Sequence, residues 1–176
     1  TYHNFSWKES LAKKWKLNTG ISFSLNQDDI KSGMQTQSKQ DVLLSGLEFK
    51  QFGIDNSGDF FNARMVVERR LKGLSALRFG GEYNYSHETV SFTAYNSQTF
   101  PSSVTENIKA AFAEADIYVT NSIAAKVGGR MEHSALLDKT NFAPRISLAY
   151  KFSRQAQASL AYGIFYQNPE RKYLPS

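Results

Sequence analysis

The chain contains no cysteine, so it has neither a disulfide framework nor a thiolate metal site. It also lacks a run of about 18 apolar residues, which excludes a transmembrane helix. Thr1 opens directly into polar and aromatic residues with no secretory signal peptide. If the protein is exported, we therefore expect this chain to be a mature form or a part of something longer.

The sequence also lacks a region in which charges of one sign are concentrated. The net charge of +5 comes from 21 Lys and Arg scattered among 16 Asp and Glu, with no basic stripe, which disfavours nucleic acid as a partner. His3, His87 and His133 lack metal-ligand spacing and are predicted to be surface or rim residues. No glycine-rich loop opens a helix, so nucleotide binding has no support. The sequence thus predicts no metal and no cofactor.

Aromatic residues are abundant instead, with nine Tyr and thirteen Phe in 176 residues, although only 41% of residues are hydrophobic and the mean hydropathy is −0.45. The length is that of one domain. Apolar weight spread thinly over alternating positions is typical of a transmembrane β-barrel, in which every second residue is polar. A soluble lipocalin-like barrel has a compatible composition.

Alternation with a period of two predicts strands along the whole chain. It is clear from Trp15 to Leu25 and again through three strands and two hairpin turns between Asn121 and Gln167. An Ala-rich run at 107–119 is interpreted as a strand because of Ile117, Val119 and the turn that follows. The predicted fold is all-β: an antiparallel up-and-down meander of about eight long strands, each roughly 10–12 residues, forming part of a larger transmembrane β-barrel.

In such a meander, short turns lie at one rim and long loops at the other. The predicted short connections are 9–14, 71–74, 120–122 and 153–156. The predicted long loops are 26–58, 87–106, 134–142 and the residues after Gln167. To keep the rims consistent, 41–52 is assigned to a β-structured excursion inside the first long loop.

The two faces of these strands differ in chemistry. One face carries charges of both signs, which we predict to face a polar lumen: Arg64, Glu68, Arg78, Glu82, Arg130, Glu132, Arg145 and Lys151. The opposite face carries large rings, which we predict to face lipid and its two interfaces: Trp7, Trp15, Phe79, Tyr83, Tyr150, Phe152, Tyr162 and Tyr166.

The number and size of the aromatic side chains favour a membrane barrel over a soluble one. An eight-stranded barrel interior holds little more than its own packed side chains, and so many rings would not fit inside it. The rings also concentrate near strand ends, as aromatic girdles at bilayer interfaces do.

Two motifs near the C-terminus resemble a known family. The segment NFAPRISLAY at 141–150 and the segment AYGIFYQNPE at 161–170 resemble the barrel of TonB-dependent outer-membrane receptors, the Bacteroidetes-type receptors above all. The strands around 113–116 and 127–132 are similar to the pair that precedes these motifs in that family. The resemblance covers about residues 107–170, and 1–106 agrees with it in pattern only.

The resemblance implies a 22-stranded barrel of the Gram-negative outer membrane, closed by an N-terminal plug. Uptake is driven by an inner-membrane complex through a TonB box. Because this chain has about eight strands and shows no plug, TonB box or terminal aromatic, we expect 1–176 to be a single interior barrel segment. Its implied partners are the lipid bilayer, the plug domain and remaining strands of the same protein, and the TonB complex.

The function this implies is uptake of a nutrient ligand, either a siderophore, a glycan or a peptide. No enzyme is predicted, since no nucleophile is paired with a base. Two alternatives stay open at this point: a small self-contained outer-membrane barrel with a structural or adhesive role, and a soluble lipocalin-like binding barrel.

Overall fold

A computed structural model describes residues 1–166 as one antiparallel sheet of eight strands. The strands run in chain order: β1 Tyr2–Ala12, β2 Trp15–Ser32, β3 Phe52–Arg70, β4 Ala76–Ala94, β5 Thr99–Tyr118, β6 Ile123–Ser134, β7 Lys139–Lys151 and β8 Gln157–Gly163. Each strand pairs with the next one along the chain, and β1 and β8 form the two edges. The predicted up-and-down meander of about eight strands is therefore confirmed, as part of a sheet that does not close on itself within the described residues.

Tight turns connect most strands. Between β3 and β4, the Leu71 amide donates to the Ser75 carbonyl at 2.9 Å, and Gly73 takes φ +66°, a conformation that costs a residue with a side chain far more. The turns at 95–98 and 135–138 likewise contain a positive φ, at Ser97 and Asp138. Short closed turns of this kind fix the register from β3 to β8, and the pairing of β2 with β3 also runs without a break although a long connection joins them.

The predicted long loops are wrong at two places. Residues 87–106 form the ends of β4 and β5 joined by the turn at 95–98, and 134–142 contains the turn at 135–138 between β6 and β7. The connection from β2 to β3 is long, but it covers 33–51 and not 26–58. The residues after Gln167, where a further long loop was predicted, lie outside the described residues.

Strand length is the second correction. β2 to β5 have 18, 19, 19 and 20 residues, well beyond the predicted 10–12, whereas β1, β6 and β7 have 11, 12 and 13. Polar Ser, Thr, Asn and Asp side chains do not prevent strand pairing when both neighbours continue the backbone ladder. The sheet therefore projects well past one end of the shorter strands.

Segment 41–52 was predicted to be β-structured, and this prediction is wrong. Its strand content is a single bridge from Asp41 to Gln35, followed by a three-residue 3-10 helix at Glu48–Lys50, and β3 begins at Phe52. Within residues 1–166 no helix has the length and apolar character needed to cross a membrane. The Ala-rich run predicted as a strand at 107–119, by contrast, is strand as far as Tyr118.

The sheet is a single layer with almost no packed interior. Ala76 and Ala110 are the only buried apolar side chains among the described residues. Large apolar side chains on one face stay open, including Tyr162 at 70% and Leu160 at 76% exposure. A sheet normally buries its apolar face against another layer. The stability of this one must therefore come from what covers that face in its native environment.

Candidate functional site

The eight residues predicted to face a lumen all lie on one face of the sheet, here called the charged face. The cross-strand pairs Arg64–Glu82 and Glu68–Arg78 fix this for β3 and β4. The pairing of Gly128 with Arg145 extends the same face to β6 and β7. Side chains alternate along a strand, so Arg130, Glu132 and Lys151 fall on it too. That this face lines a lumen remains a prediction.

Arg78 is the centre of the larger ion-pair cluster on this face. Its Nε lies 2.8 Å from Glu68 Oε2, and its Nη1 lies 2.6 Å from Asp116 Oδ2 and 3.6 Å from Glu114 Oε1. Lys126 joins from β6, with Nζ 3.1 Å from Glu114 Oε1 and 3.5 Å from Asp116 Oδ1. Three carboxylates and two cations on four adjacent strands thus neutralise most of each other's charge.

Arg130 organises a second cluster. Its Nη2 lies 2.8 Å from Glu132 Oε2 on its own strand, and its Nη1 lies 3.1 Å from Glu82 Oε2, two strands away. The residue between Glu82 and Glu132 in the register is Ala110, which is 8% exposed. A methyl group there leaves the space in which the guanidinium reaches across β5.

A ring and a glycine separate the two clusters. Phe112 on β5 pairs with Gly80 on β4, and a Cβ at Gly80 would overlap the Met65 carbonyl oxygen and lie 2.9 Å from the Phe112 Cζ. Arg64 covers the other side of the ring, with Cζ 5.5 Å from its centroid. The glycine allows the ring to lie flat on the sheet, where a cation can stack on it.

Gly128 has a similar role. A Cβ there would lie 2.9 Å from the Ala113 carbonyl oxygen and 3.1 Å from the Glu114 Cα. Arg64, Arg78, Arg130 and Arg145 surround a cavity of about 170 Å³ over Phe112 and Gly128. Arg145 stacks on Phe165 at 5.8 Å. Neighbouring strands and rings therefore approach the backbone closely at Gly80 and Gly128, where a side chain would collide with them.

The rings predicted to face lipid lie on the opposite face, here called the apolar face. Trp7, Trp15, Phe79, Tyr83, Tyr150 and Tyr162 share it through the strand register. Phe152 follows β7 and packs edge-on against Tyr150 with ring centroids 4.7 Å apart. Tyr166 follows β8 and is exposed. Contact of these rings with lipid remains a prediction.

Aromatic contacts mark the end of the apolar face near the short turns. Trp15 meets Phe79 edge-on at 6.3 Å, and the Arg69 guanidinium lies 5.1 Å above the Trp15 ring. Further along the band, on the rung of Ala63, Tyr83 donates to Asn107 Oδ1 at 2.7 Å. Rings that combine an apolar body with a polar neighbour are typical of a bilayer-facing surface.

The height of the apolar band fits a bilayer. On β3 it runs from Arg69 to Asp59, the charged residues that end it on this face. These ten residue steps cover about 33 Å along a strand. At the tilt of about 40° usual in membrane barrels, this gives a band about 25 Å tall.

The side chains of the two faces differ in solvent exposure, and the difference is the opposite of what a soluble sheet shows. The charged side chains are the more sheltered, with Glu82 at 18% and Arg130 at 22%, while Met131 on the apolar face is 53% exposed. Ion pairs and close-lying rings cover the charged face, whereas the apolar side chains stand separately. A soluble sheet has the reverse arrangement.

Three members of the larger cluster were absent from the predicted set: Glu114, Asp116 and Lys126. Glu114 and Asp116 lie in the Ala-rich strand, whose weak alternation concealed its polar face, although their i, i+2 spacing was visible. His87 Nδ1 shares a hydrogen bond of 2.7 Å with Thr105 Oγ1, and His133 Nδ1 shares one of 3.1 Å with Thr140 Oγ1. Residues 1–166 contain no group of three or more His, Cys, Asp or Glu that could hold a metal ion.

Comparison with known proteins gives one match. A family model described as TonB dependent receptor-like, beta-barrel, matches residues 1–171. A search of curated proteins and a search of solved structures each returned no match.

Proposed function

Since this chain belongs to the TonB-dependent receptor β-barrel family, whose members are transporters of the Gram-negative outer membrane, we propose that it forms part of the wall of a nutrient importer. The imported ligand is a siderophore, a glycan or a peptide. The motifs at 141–150 and 161–170 support a receptor of the Bacteroidetes type.

One observation carries this proposal: the ion pairs between neighbouring strands lie on one face of the sheet, and the other face is mainly apolar between Arg69 and Asp59, with Glu9 and Lys109 as its charged residues. Charged side chains facing hydrocarbon destabilise a membrane strand by about 2–4 kcal/mol each at the bilayer midplane. Lipid on the apolar face and water on the charged face avoids this cost for the ion-paired residues of the charged face. The charged face then lines the lumen, where the plug domain and the passing ligand meet it.

Open edges support an incomplete barrel. β1 and β8 each pair on one side only within the described sheet. Unpaired backbone groups are not tolerated in hydrocarbon. We therefore propose that further strands of the same receptor cover both edges, and that 1–176 is a barrel segment without the plug. The same arrangement argues against a self-contained eight-stranded barrel and against a lipocalin-like one, since both need β1 to meet β8.

The ion pairs of the charged face keep its charged side chains in fixed positions. Arg78 and Arg130 each bind two or more carboxylates through the fixed fork of the guanidinium. Side chains tied in this way present a constant mixed-sign surface to the lumen. We propose that this surface binds the plug and conducts a hydrated ligand, and that the chain carries out no covalent step.

Uptake by cells tests the proposal. Cells that make the receptor and matched cells without its gene are given radiolabelled ferric dihydroxybenzoylserine, maltoheptaose or tetraglycine, with and without a protonophore. We expect gene-dependent accumulation of one probe and its loss when the proton gradient that drives the TonB complex collapses. Equal accumulation in both kinds of cell for all three probes would contradict import.

A further inference from the structure

Cations are concentrated at one corner of the sheet, at the end where the connections between strands are short. Five of them belong to the turn between β1 and β2 or to the end of β3 and its turn: Lys13, Lys14, Arg69, Arg70 and Lys72. No Asp or Glu occurs at 10–27 or at 69–81. The other two turns at this end, 119–122 and 152–156, contain one charged side chain, that of Arg154. The charge of the turns is therefore positive and lies mainly in the first two.

The pairing of β2 with β3 brings these cations together. The two turns lie far apart in the chain, but the Arg70 amide donates to the Lys14 carbonyl at 2.8 Å, and Trp15 pairs with Arg69. A scan along the chain finds only two short basic segments. In the folded sheet they form one patch, here called the basic corner.

No cation of the basic corner forms an ion pair within residues 1–166. Glu68, next to Arg69 in the chain, is bound to Arg78 with Oε2 and Nε 2.8 Å apart. Glu9 shares the apolar face, but it lies opposite Leu17, deeper in the band than Arg69. All five cations are exposed. Their positive charge is therefore available to an anion from outside the chain.

Arg69 and Arg70 belong to opposite faces of the sheet, because side chains alternate along a strand. Arg69 shares the apolar face with Trp15, and its Cζ lies 5.1 Å from the centroid of the Trp15 ring. Arg70 has the same parity as Glu68 and falls on the charged face. Of the two arginines, only Arg69 therefore lies at the end of the apolar band.

Apolar side chains accompany the cations of the basic corner. Leu11, Leu71 and Leu74, in or next to the same two turns, are 56%, 40% and 76% exposed. The Trp15 ring adds an apolar body with an N–H donor, a combination enriched where a membrane meets water. Cations, exposed leucines and an indole together fit the boundary between acyl chains and headgroups, where both kinds of group are solvated. An acidic protein or a nucleic acid in water would match only the cations.

The height of the basic corner agrees with that boundary. Arg69 is the residue at which the apolar band of β3 ends. Long basic side chains at such a level keep their methylene groups in apolar surroundings and extend the charged end to the headgroups. Short turns of membrane barrels lie on the periplasmic side, where the leaflet consists of phospholipid.

From the charge, the apolar neighbours and the height, we propose that Arg69, with Lys13 and Lys72 from the two turns, binds the headgroup phosphate of an anionic phospholipid beside the Trp15 ring. The proposal rests on the membrane wall argued above. The guanidinium fork can donate two hydrogen bonds to phosphate oxygens while it stays stacked on the indole. A zwitterionic headgroup carries an amine that the neighbouring cations repel, so the site selects for net negative charge.

Photocross-linking from position 71 tests this preference. The whole receptor carries a benzophenone amino acid in place of Leu71 and is reconstituted in mixed vesicles of phosphatidylcholine and phosphatidylglycerol, with one lipid radiolabelled at a time. The yield of each cross-linked lipid, divided by its share of the vesicle, gives the enrichment of phosphatidylglycerol at the basic corner. Arg69→Gln removes the charge, Arg69→Lys keeps it, and Arg70→Gln is the matched control on the charged face. The folded fraction is measured for every variant.

We expect phosphatidylglycerol to be enriched at position 71 when the basic corner is intact. Arg69→Gln should lower the enrichment about fivefold at low salt, because each basic residue near an anionic membrane surface contributes a factor of that order. Arg69→Lys and Arg70→Gln should retain most of it. Added salt should weaken the enrichment, since it screens exposed charges.

Cross-linking of the two lipids in proportion to their content, or equal losses in Arg69→Gln and Arg70→Gln, would overturn the headgroup site while the membrane wall stands. If Arg69→Gln does not fold, Lys72→Gln gives the same comparison, and an unchanged enrichment there would overturn the site as well. A cross-link to protein in place of lipid would assign the basic corner to a protein contact. No cross-link to lipid or protein, as expected for position 71 in water, would contradict the membrane wall itself.

Discussion

Arg130 on β6 reaches Glu82 on β4, with Nη1 and Oε2 3.1 Å apart, directly across the methyl group of Ala110 on the strand between them. Ala110 is one of two buried apolar residues among the described ones. The ion pair spans two strands because the central position holds a small side chain.

Enlarging that central residue should break the pair. Ala110→Leu places three extra carbon atoms between the partners, and we expect it to lower the free energy of unfolding by about 1–3 kcal/mol. Ala111→Leu is the control, since Ala111 lies on the apolar face, opposite Gly81 and Met131. The measurement is urea unfolding of the receptor in lipid vesicles, and equal effects of the two changes would contradict the prediction.

Arg78 should be needed to hold three carboxylates together. Arg78→Met leaves Glu68, Glu114 and Asp116 close to one another with Lys126 as the remaining cation of the cluster. We expect a loss of about 1–3 kcal/mol, since hydrogen bonds to charged groups contribute that much and the site is partly open to solvent. Adding Asp116→Asn should restore part of the stability in the same unfolding assay. A double variant less stable than Arg78→Met would rule this explanation out.

The adjacent glycines of β4 provide a matched pair. Gly80→Ala puts its new carbon against the Met65 carbonyl oxygen and 2.9 Å from the Phe112 Cζ, whereas a Cβ at Gly81 lies at an ordinary 3.6 Å from the Ala110 carbonyl oxygen. We expect Gly80→Ala to destabilise the protein by about 1–3 kcal/mol through overpacking. Gly81→Ala should be neutral or stabilising, as expected for an unstrained strand position. Equal unfolding midpoints would contradict the close approach of the Met65 carbonyl and the Phe112 ring to Gly80.

An arginine introduced on the apolar face should destabilise the protein, whereas an arginine at the next position along the strand should be tolerated. Ile146→Arg places a guanidinium near the middle of the apolar band, and a cost of about 2–4 kcal/mol is expected at the midplane. Ser147→Arg, one residue along the strand, lies on the charged face and should change the stability little. The fraction of receptor that folds into vesicles reports both, and similar yields would argue against lipid on the apolar face.

Alternation alone predicts the strands and their faces. Every second residue from Trp15 to Leu25, and again in β6 and β7, indicates which side chains share a face, because the strand period admits only one assignment. The eight strands and the grouping of Arg64, Glu82, Arg130 and Arg145 follow from it. The ion pairs themselves need the register between strands, which the turns set.

The ends of β2 to β5 that project past the shorter strands, at 26–32, 52–58, 88–94 and 99–105, could not be predicted in the same way. Apolar residues occupy odd positions in β4 up to Tyr85 and even positions from Val90 onwards, and the same change occurs between Leu25 and Ile30 in β2. A scan for one constant apolar phase loses the strand at this point and interprets the Ser- and Thr-rich remainder as a loop. A change of the solvent outside the sheet from lipid to water at this height would account for the change of phase.

The most direct test of the central claim compares the surroundings of Ile21 and Ser22, adjacent residues in mid-strand of β2 and away from both edges. Nitroxide spin labels at each position, in the receptor reconstituted in vesicles, are relaxed by oxygen in lipid and by a water-soluble nickel chelate in water. We predict that the label at 21 responds to oxygen and the label at 22 to the nickel chelate. The opposite pattern, with the apolar face in water and the charged face sheltered from it, would contradict the account.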